Sequence, residues 1–326
     1  MRAIICRDWG DPADLELGEL SKPDLGPGQV RIRMRAAGVN FADCVLVRGN
    51  YQEKPDLPFA PGLEGTGEIL EVGDGVTGLA PGDRVMALVA AGAFAEQAVC
   101  NAMTVLPVPD GMDDVTAAAF PVAYGTSHLA LVHRGNLKAG ETLLVLGAGG
   151  GVGLTAVECG KAIGATVIAA ASTPEKLALA KARGADHLIN YAEDDLRKAV
   201  LSITDGRGAD VVYDPVGGAL AETALRTMAW SGRMLVIGFA SGDIPAFPAN
   251  YLLVKNIAVV GVYWGAYRTK EPDTFRAGFD ELATWWRDGK LSPHVSEVLP
   301  LADVPRALAM LEGRQATGRL VIDIDG

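Results

Sequence analysis

The chain has 326 residues, 49% of them hydrophobic, which is more than one ordinary core holds and sets the expectation of two domains. Against 29 Lys and Arg stand 40 Asp and Glu, and the resulting net charge of −11 argues against nucleic acid as a partner. No apolar run approaches the roughly 20 residues of a membrane helix, and that around Met1–Asp8 is too short for a secretory signal, so a cytoplasmic protein with no membrane partner is expected.

In chain order, residues 1 to about 120 read as a first strand and then short β segments. These are Val30–Ala36, Gly65–Val72, Arg84–Val89 and Phe94–Cys100, separated by Pro-Gly, Gly-Asp and Gly-Asn turns. From about 122 to 262 strands alternate with helices. The strands are the continuous apolar runs Thr142–Leu146, Thr166–Ala171, His187–Ile189, Asp210–Tyr213, Arg233–Ile237 and Ile257–Tyr263. Between them lie helical stretches such as Gly153–Ile163, Pro174–Arg183 and Leu220–Ala229, which predicts a doubly wound α/β sheet. After about 263 come helices Phe275–Arg287 and Val304–Leu311 and two strands, a piece expected to rejoin the N-terminal region. The four cysteines (Cys6, Cys44, Cys100, Cys159) and four histidines are scattered, with no disulfide or metal-ligand spacing.

The segment Thr142–Leu146 leads directly into Gly147-Ala148-Gly149-Gly150-Gly151-Val152-Gly153 and a helix. A helix start leaves unpaired N–H groups and the positive end of the dipole, so it receives a pyrophosphate. Glycines let that ligand approach and let the turn visit positive φ. The second strand ends Ala169-Ala170-Ala171-Ser172 with no acid for a ribose hydroxyl. Nothing there repels a 2′-phosphate, and Ser172 and Lys176 can donate to it, which favours NADPH. The bland alternative makes Ser172–Glu175 a capping box and Lys176 an ordinary solvated lysine.

With these features the chain resembles the medium-chain dehydrogenase/reductase superfamily, and within it the zinc-free quinone oxidoreductase (ζ-crystallin-like) branch. The resemblance rests on Gly140-Glu141-x-x-Leu144, the glycine turn and Lys161, with Glu158 departing from the usual Gln at a position expected on the helix exterior. Further matching pieces are Gly38-Val39-Asn40-Phe41-x-Asp43, Arg48-Gly49-x-Tyr51, Pro61-Gly62-x-Glu64-x-x-Gly67, Gly82-Asp83-Arg84-Val85, Asp214-x-Val216-Gly217-Gly218 and Gly238. It implies a discontinuous GroES-like β-rich catalytic domain (1–121 and 263–326) and a Rossmann domain (122–262) with a six-stranded parallel sheet. The active site would lie in the cleft, and the last Rossmann strand would pair across a homodimer axis. By motif, Lys176, Tyr191 and Arg314 would contact the 2′-phosphate, and Asn40, Tyr51 and Thr126 would lie near the nicotinamide. Val216, Gly238 and Phe239 would complete the cofactor site.

Where zinc-dependent members carry ligands, this chain has Asn40 or Phe41 and Gly62-Leu63-Glu64. Leucine cannot ligate zinc, and neither a catalytic nor a structural set is present, so no metal is expected. Without a Lewis acid the expected chemistry is reduction of an electrophilic small molecule rather than oxidation of an alcohol. A quinone is the first reading; a 2-enal or short enoyl-CoA ester and a non-catalytic NADPH-binding protein are the alternatives. Tyr51 is a candidate proton donor or a loop aromatic in the cleft wall, and Asn40 a candidate to orient amide or ribose groups. Tyr263, Trp264 and Tyr267 would line an acceptor pocket or, preferably, a dimer interface.

Overall fold

A computed structural model describes residues 1–326. In chain order its strands are β1 (Arg2–Ile5), β2 (Glu16–Glu19), β3 (Gln29–Val39), β4 (Glu64–Val72), β5 (Arg84–Leu88), β6 (Gln97–Asn101) and β7 (Val105–Pro107). Then follow β8 (Thr142–Leu146), β9 (Thr166–Ala171), β10 (His187–Asn190), β11 (Ala209–Asp214), β12 (Met228–Val236) and β13 (Ala258–Gly261), and last β14 (Val295–Pro300) and β15 (Arg319–Asp323). The chain forms two compact units, Met1–Val122 with Pro293–Gly326, and Ala123–Ser292.

The first unit is built on a seven-stranded sheet in the order β14-β15-β3-β4-β5-β7, with β6 added against β3, and a separate β1-β2 pair. All pairings are antiparallel except β14 with β15. Along β3 the alternation is plain: Val30, Ile32 and Met34 are buried while Arg31, Arg33 and Arg35 point outward. From Ala36 the strand is buried throughout, because Ala118 and Ala119 of a short helix (Asp114–Ala118 and its cap) pack with Ala36 and Val321. Small side chains permit that close approach.

The second unit is a six-stranded, all-parallel sheet in the order β10-β9-β8-β11-β12-β13. Every residue of β8 is buried, as expected of a central strand covered by helices on both faces. Its helices include Gly151–Ile163, Pro174–Ala182, Leu196–Ile203 and Gly218–Leu225. The first ends at Gly164, whose φ of +96° closes it in the left-handed region open to glycine. No helix is long and apolar enough to cross a membrane. All four cysteines are buried as free thiols.

The expected return to the first unit at 263 falls instead at Pro293. The reason is packing. Helix Pro272–Arg287 buries Phe275, Phe279, Leu282 and Trp285 within the second unit, one apolar stripe at helical spacing. Trp264 sits against Phe275 and Phe279, with ring centroids 5.8 and 6.4 Å away. The expected aromatic patch is therefore divided: Trp264 is part of this packing, Tyr267 stands edge-on to His133, and Tyr263 is exposed. The helix expected to reach Ala229 stops at Leu225, and β12 begins at Met228.

Candidate cofactor and active site

In the second unit the polar edge lies where the parallel strands end. Gly147 turns at φ +58° after β8 and is the one residue of the glycine turn in the left-handed region. The N–H of Ala148 then donates to the carbonyl of Ala170 on β9 (3.0 Å), and that of Gly150 to the carbonyl of Gly147 (3.0 Å). Gly150 caps the helix, whose first intrahelical bond runs from Leu154 N–H to the Gly150 carbonyl (2.9 Å). The N–H groups of Gly151, Val152 and Gly153 thus have no intrahelical acceptor, the arrangement an anion completes.

The other glycines serve distinct purposes. A Cβ on Gly153 would stand 2.2 Å from the Gly147 carbonyl oxygen, and one on Gly149 2.4 Å from Cβ of Lys176. Both are packing requirements. Gly150 has nothing nearer than 3.5 Å, so its side is open to a ligand. Ser127 Oγ on helix Pro121–His128, one residue after the buried Thr126, bonds the Val152 carbonyl (3.1 Å) and ties that helix to the turn.

Ser172, Lys176 and Tyr191 gather at the end of β9. Tyr191 N–H donates to the Ala171 carbonyl (3.1 Å), and the Lys176 stem lies against Gly149. Thr173, not Ser172, is the N-cap of helix Pro174–Ala182, its hydroxyl accepting from Lys176 N–H at 3.4 Å. The capping reading of Ser172 is thereby corrected. Val216 faces Gly147, since a Cβ there would be 3.0 Å from its Cγ2. Phe239 packs beside Gly217, and Gly238 N–H reaches the Asp214 carbonyl (3.4 Å). Asp214 Oδ1 accepts from the N–H groups of Val216 and Gly217, both at 2.9 Å, while its buried Oδ2 has no partner. Burial pushes the Asp214 carboxyl above its ordinary pKa.

Asn40, Tyr51 and Arg314 belong to the first unit. Asn40 precedes helix Phe41–Val47 and is held on all sides. Its Oδ1 accepts from Arg319 Nη1 (2.9 Å), its Nδ2 donates to Glu64 Oε1 (2.9 Å), and its backbone N–H donates to Asp43 Oδ2 (2.8 Å). Arg319 also pairs with Glu64, whose Oε2 accepts from Val122 N–H at 2.7 Å. Burial raises the Glu64 carboxyl, with Arg319 pulling it back, and burial drives Asp43 up to about 8. A Cβ on Gly38 would fall 2.6 Å from Glu64 Oε1, so that glycine makes room for the cluster. Arg319 is the member that motif reading misses. It heads an apolar strand, and the only hint is a charge where β15 begins.

Tyr51 is half-buried and packs on the first unit's core. Arg314 is exposed, with a left-handed φ of +55°, just after helix Val304–Glu312. Arg48 binds Glu312 and Asp11 and so links that helix end to the Phe41–Val47 helix. Leu63 is buried in the same core, and no group of three or more His, Cys, Asp or Glu side chains is placed to hold a metal ion.

Comparison with known proteins covers both units. Residues 26–110 match the family described as alcohol dehydrogenase GroES-like domain, and 151–284 that described as zinc-binding dehydrogenase. A quinone oxidoreductase-like protein 2 homolog of Nematostella vectensis is 39% identical over 324 residues, 99% of this chain and 88% of the relative. The solved quinone oxidoreductase of Pseudomonas syringae superposes with a TM-score of 0.93 at 33% identity, over 99% of each chain. That of Thermus thermophilus, solved also as its NADPH complex, gives 0.86 at 34% identity, over 99% of this chain and 100% of the other.

Proposed function

Since the chain belongs to the zinc-free quinone oxidoreductase branch of the medium-chain dehydrogenase/reductase family, we propose that it reduces quinones with NADPH and without a metal. The observation that carries the NADPH reading is the end of β9. Ala171-Ser172 offers no acid, Tyr191 is bonded to it, and the Lys176 stem is braced on Gly149 beside the turn. Relatives of 29% and 34% identity solved with NADPH support the same choice.

The fit is good on this chain's own groups. The N–H groups of Gly151, Val152 and Gly153 and the open side of Gly150 suit a pyrophosphate. Within the second unit Ser172, Lys176 and Tyr191 supply donors for a 2′-phosphate, and Thr126, Val216, Gly238 and Phe239 line the remainder. When bound, NADPH supplies the hydride or electron. Asn40 works by rigidity: with one acceptor and one donor site tied to Arg319 and Glu64, its amide presents its remaining N–H and lone pair in a fixed direction. Tyr51 is the proton donor to the acceptor's oxygen as charge develops there.

A homodimer fits the edge of the parallel sheet. β13 pairs on one side alone, and Trp230, Leu253 and Val254 near it are 70%, 81% and 71% exposed.

The test is NADPH oxidation, followed by absorbance, with a benzoquinone, a polycyclic ortho-quinone, a 2-enal and crotonyl-CoA, and NADH as control. Turnover of quinones with NADPH supports the reading. Turnover confined to the CoA ester or the enal overturns it, and a preference for NADH removes the role given to Ser172, Lys176 and Tyr191.

A further inference from the structure

Glu158 lies inside the second unit, 4% exposed, where the helix exterior is expected from its neighbours' motif. Helix Gly151–Ile163 is apolar almost all round and buries Gly153 through Gly160, so a carboxyl there must find partners. It finds them at two places in the chain. One oxygen pairs with the hydroxyl of Tyr124, itself 1% exposed. The other accepts the backbone N–H of Ser292 (3.3 Å) and stands 3.8 Å from Nε of Arg183. Arg183 in turn donates through Nη1 to the Ser292 hydroxyl. Burial raises the Glu158 carboxyl, and Tyr124, Ser292 N–H and Arg183 pull it back.

The two partners have a shared position in the topology. Tyr124 is the second residue of the unit and Ser292 the last, so they mark where the chain enters and leaves it. We propose that Glu158 is an anchor for both passages, one carboxyl on the glycine-turn helix holding the entry at Tyr124 and the exit at Ser292. Flexing of either passage is thereby displaced to residues outside these two. The same helix begins at the glycine turn, so a ligand seated there and the two passages are joined through one side chain. The inference rests on the geometry of this unit and is independent of which cofactor or acceptor is used.

A neutral amide can replace the carboxylate, its oxygen accepting from Ser292 and its NH2 donating to the Tyr124 oxygen. That makes the test sharp. Hydrogen–deuterium exchange by mass spectrometry on the full chain compares Glu158→Ala, Glu158→Gln, Tyr124→Phe and Arg183→Gln with the parent. Glu158→Ala is expected to speed exchange about tenfold at Ser292 and in residues 123–126, the loss of roughly one hydrogen bond at each, leaving Leu143–Leu146 unchanged. Glu158→Gln restores both. Tyr124→Phe loosens only the entry and Arg183→Gln only the exit, which keeps the test decisive if Glu158→Ala does not fold. Unchanged exchange at both passages, acceleration spread evenly through the strands, or a Glu158→Gln protein as loose as Glu158→Ala overturns the proposal.

Discussion

In the first unit four side chains, Asn40, Asp43, Glu64 and Arg319, form a buried polar and charged cluster, whereas the glycine turn of the second unit offers backbone N–H groups at residues 151–153. The first arrangement desolvates whole charges and depends on each partner being present. The second exposes partial charges fixed by a turn, and depends on the absence of side chains. One is therefore fragile to deletion, the other to addition.

Deletion in the cluster should have the largest effect. Arg319→Met leaves Glu64 buried without its guanidinium and is expected to cost about 3–5 kcal/mol of stability, lessened by uptake of a proton. Urea unfolding measures it; a loss under about 1 kcal/mol would mean the cluster is not held by charge.

Addition at the turn comes next. Gly153→Val must displace the Gly147 carbonyl and is expected to cost about 1–3 kcal/mol in the same assay. Gly150→Ala meets nothing closer than 3.5 Å, so stability should stay within about 0.5 kcal/mol while NADPH affinity falls about tenfold by calorimetry. Equal loss of stability in the two variants would contradict the division of labour among these glycines.

Lys176→Met keeps the stem against Gly149 and removes the ammonium. It should lower the ratio of kcat/KM for NADPH over NADH about tenfold, roughly one charge-assisted hydrogen bond, with the melting temperature unchanged. A ratio that does not move takes Lys176 out of the 2′-phosphate site.

The smallest effect is a slope. Asp43, raised to about 8, keeps a proton in the folded state that the unfolded chain releases near 4. The folded state binds more protons between those values, so this group makes stability fall as pH rises from about 4 to about 8. Asp43→Asn retains an acceptor for Asn40 N–H and should flatten that fall, seen in urea midpoints at pH 5 and pH 8. Parallel pH profiles for the two proteins would refute it.

The same contrast explains what could be read from residues alone. The glycine turn is legible because its strand, turn and helix start are consecutive and their geometry is local. Glu64 and Arg319 are 255 positions apart, and no short pattern announces their meeting. The return at Pro293 eludes pattern reading because the stripe Phe275, Phe279, Leu282 says that a helix packs without saying on which unit. Glu158 carries a signal that the motif obscures: it lies four residues after Leu154, on an inward stripe of that helix.

The buried thiols make the molecule its own gauge of opening. Cys6, Cys44 and Cys100 lie in the first unit and Cys159 alone in the second, next to Glu158. Each becomes reactive only when its surroundings part. The labelling rate at Cys159 set against the other three reports how the two halves breathe, with no residue changed.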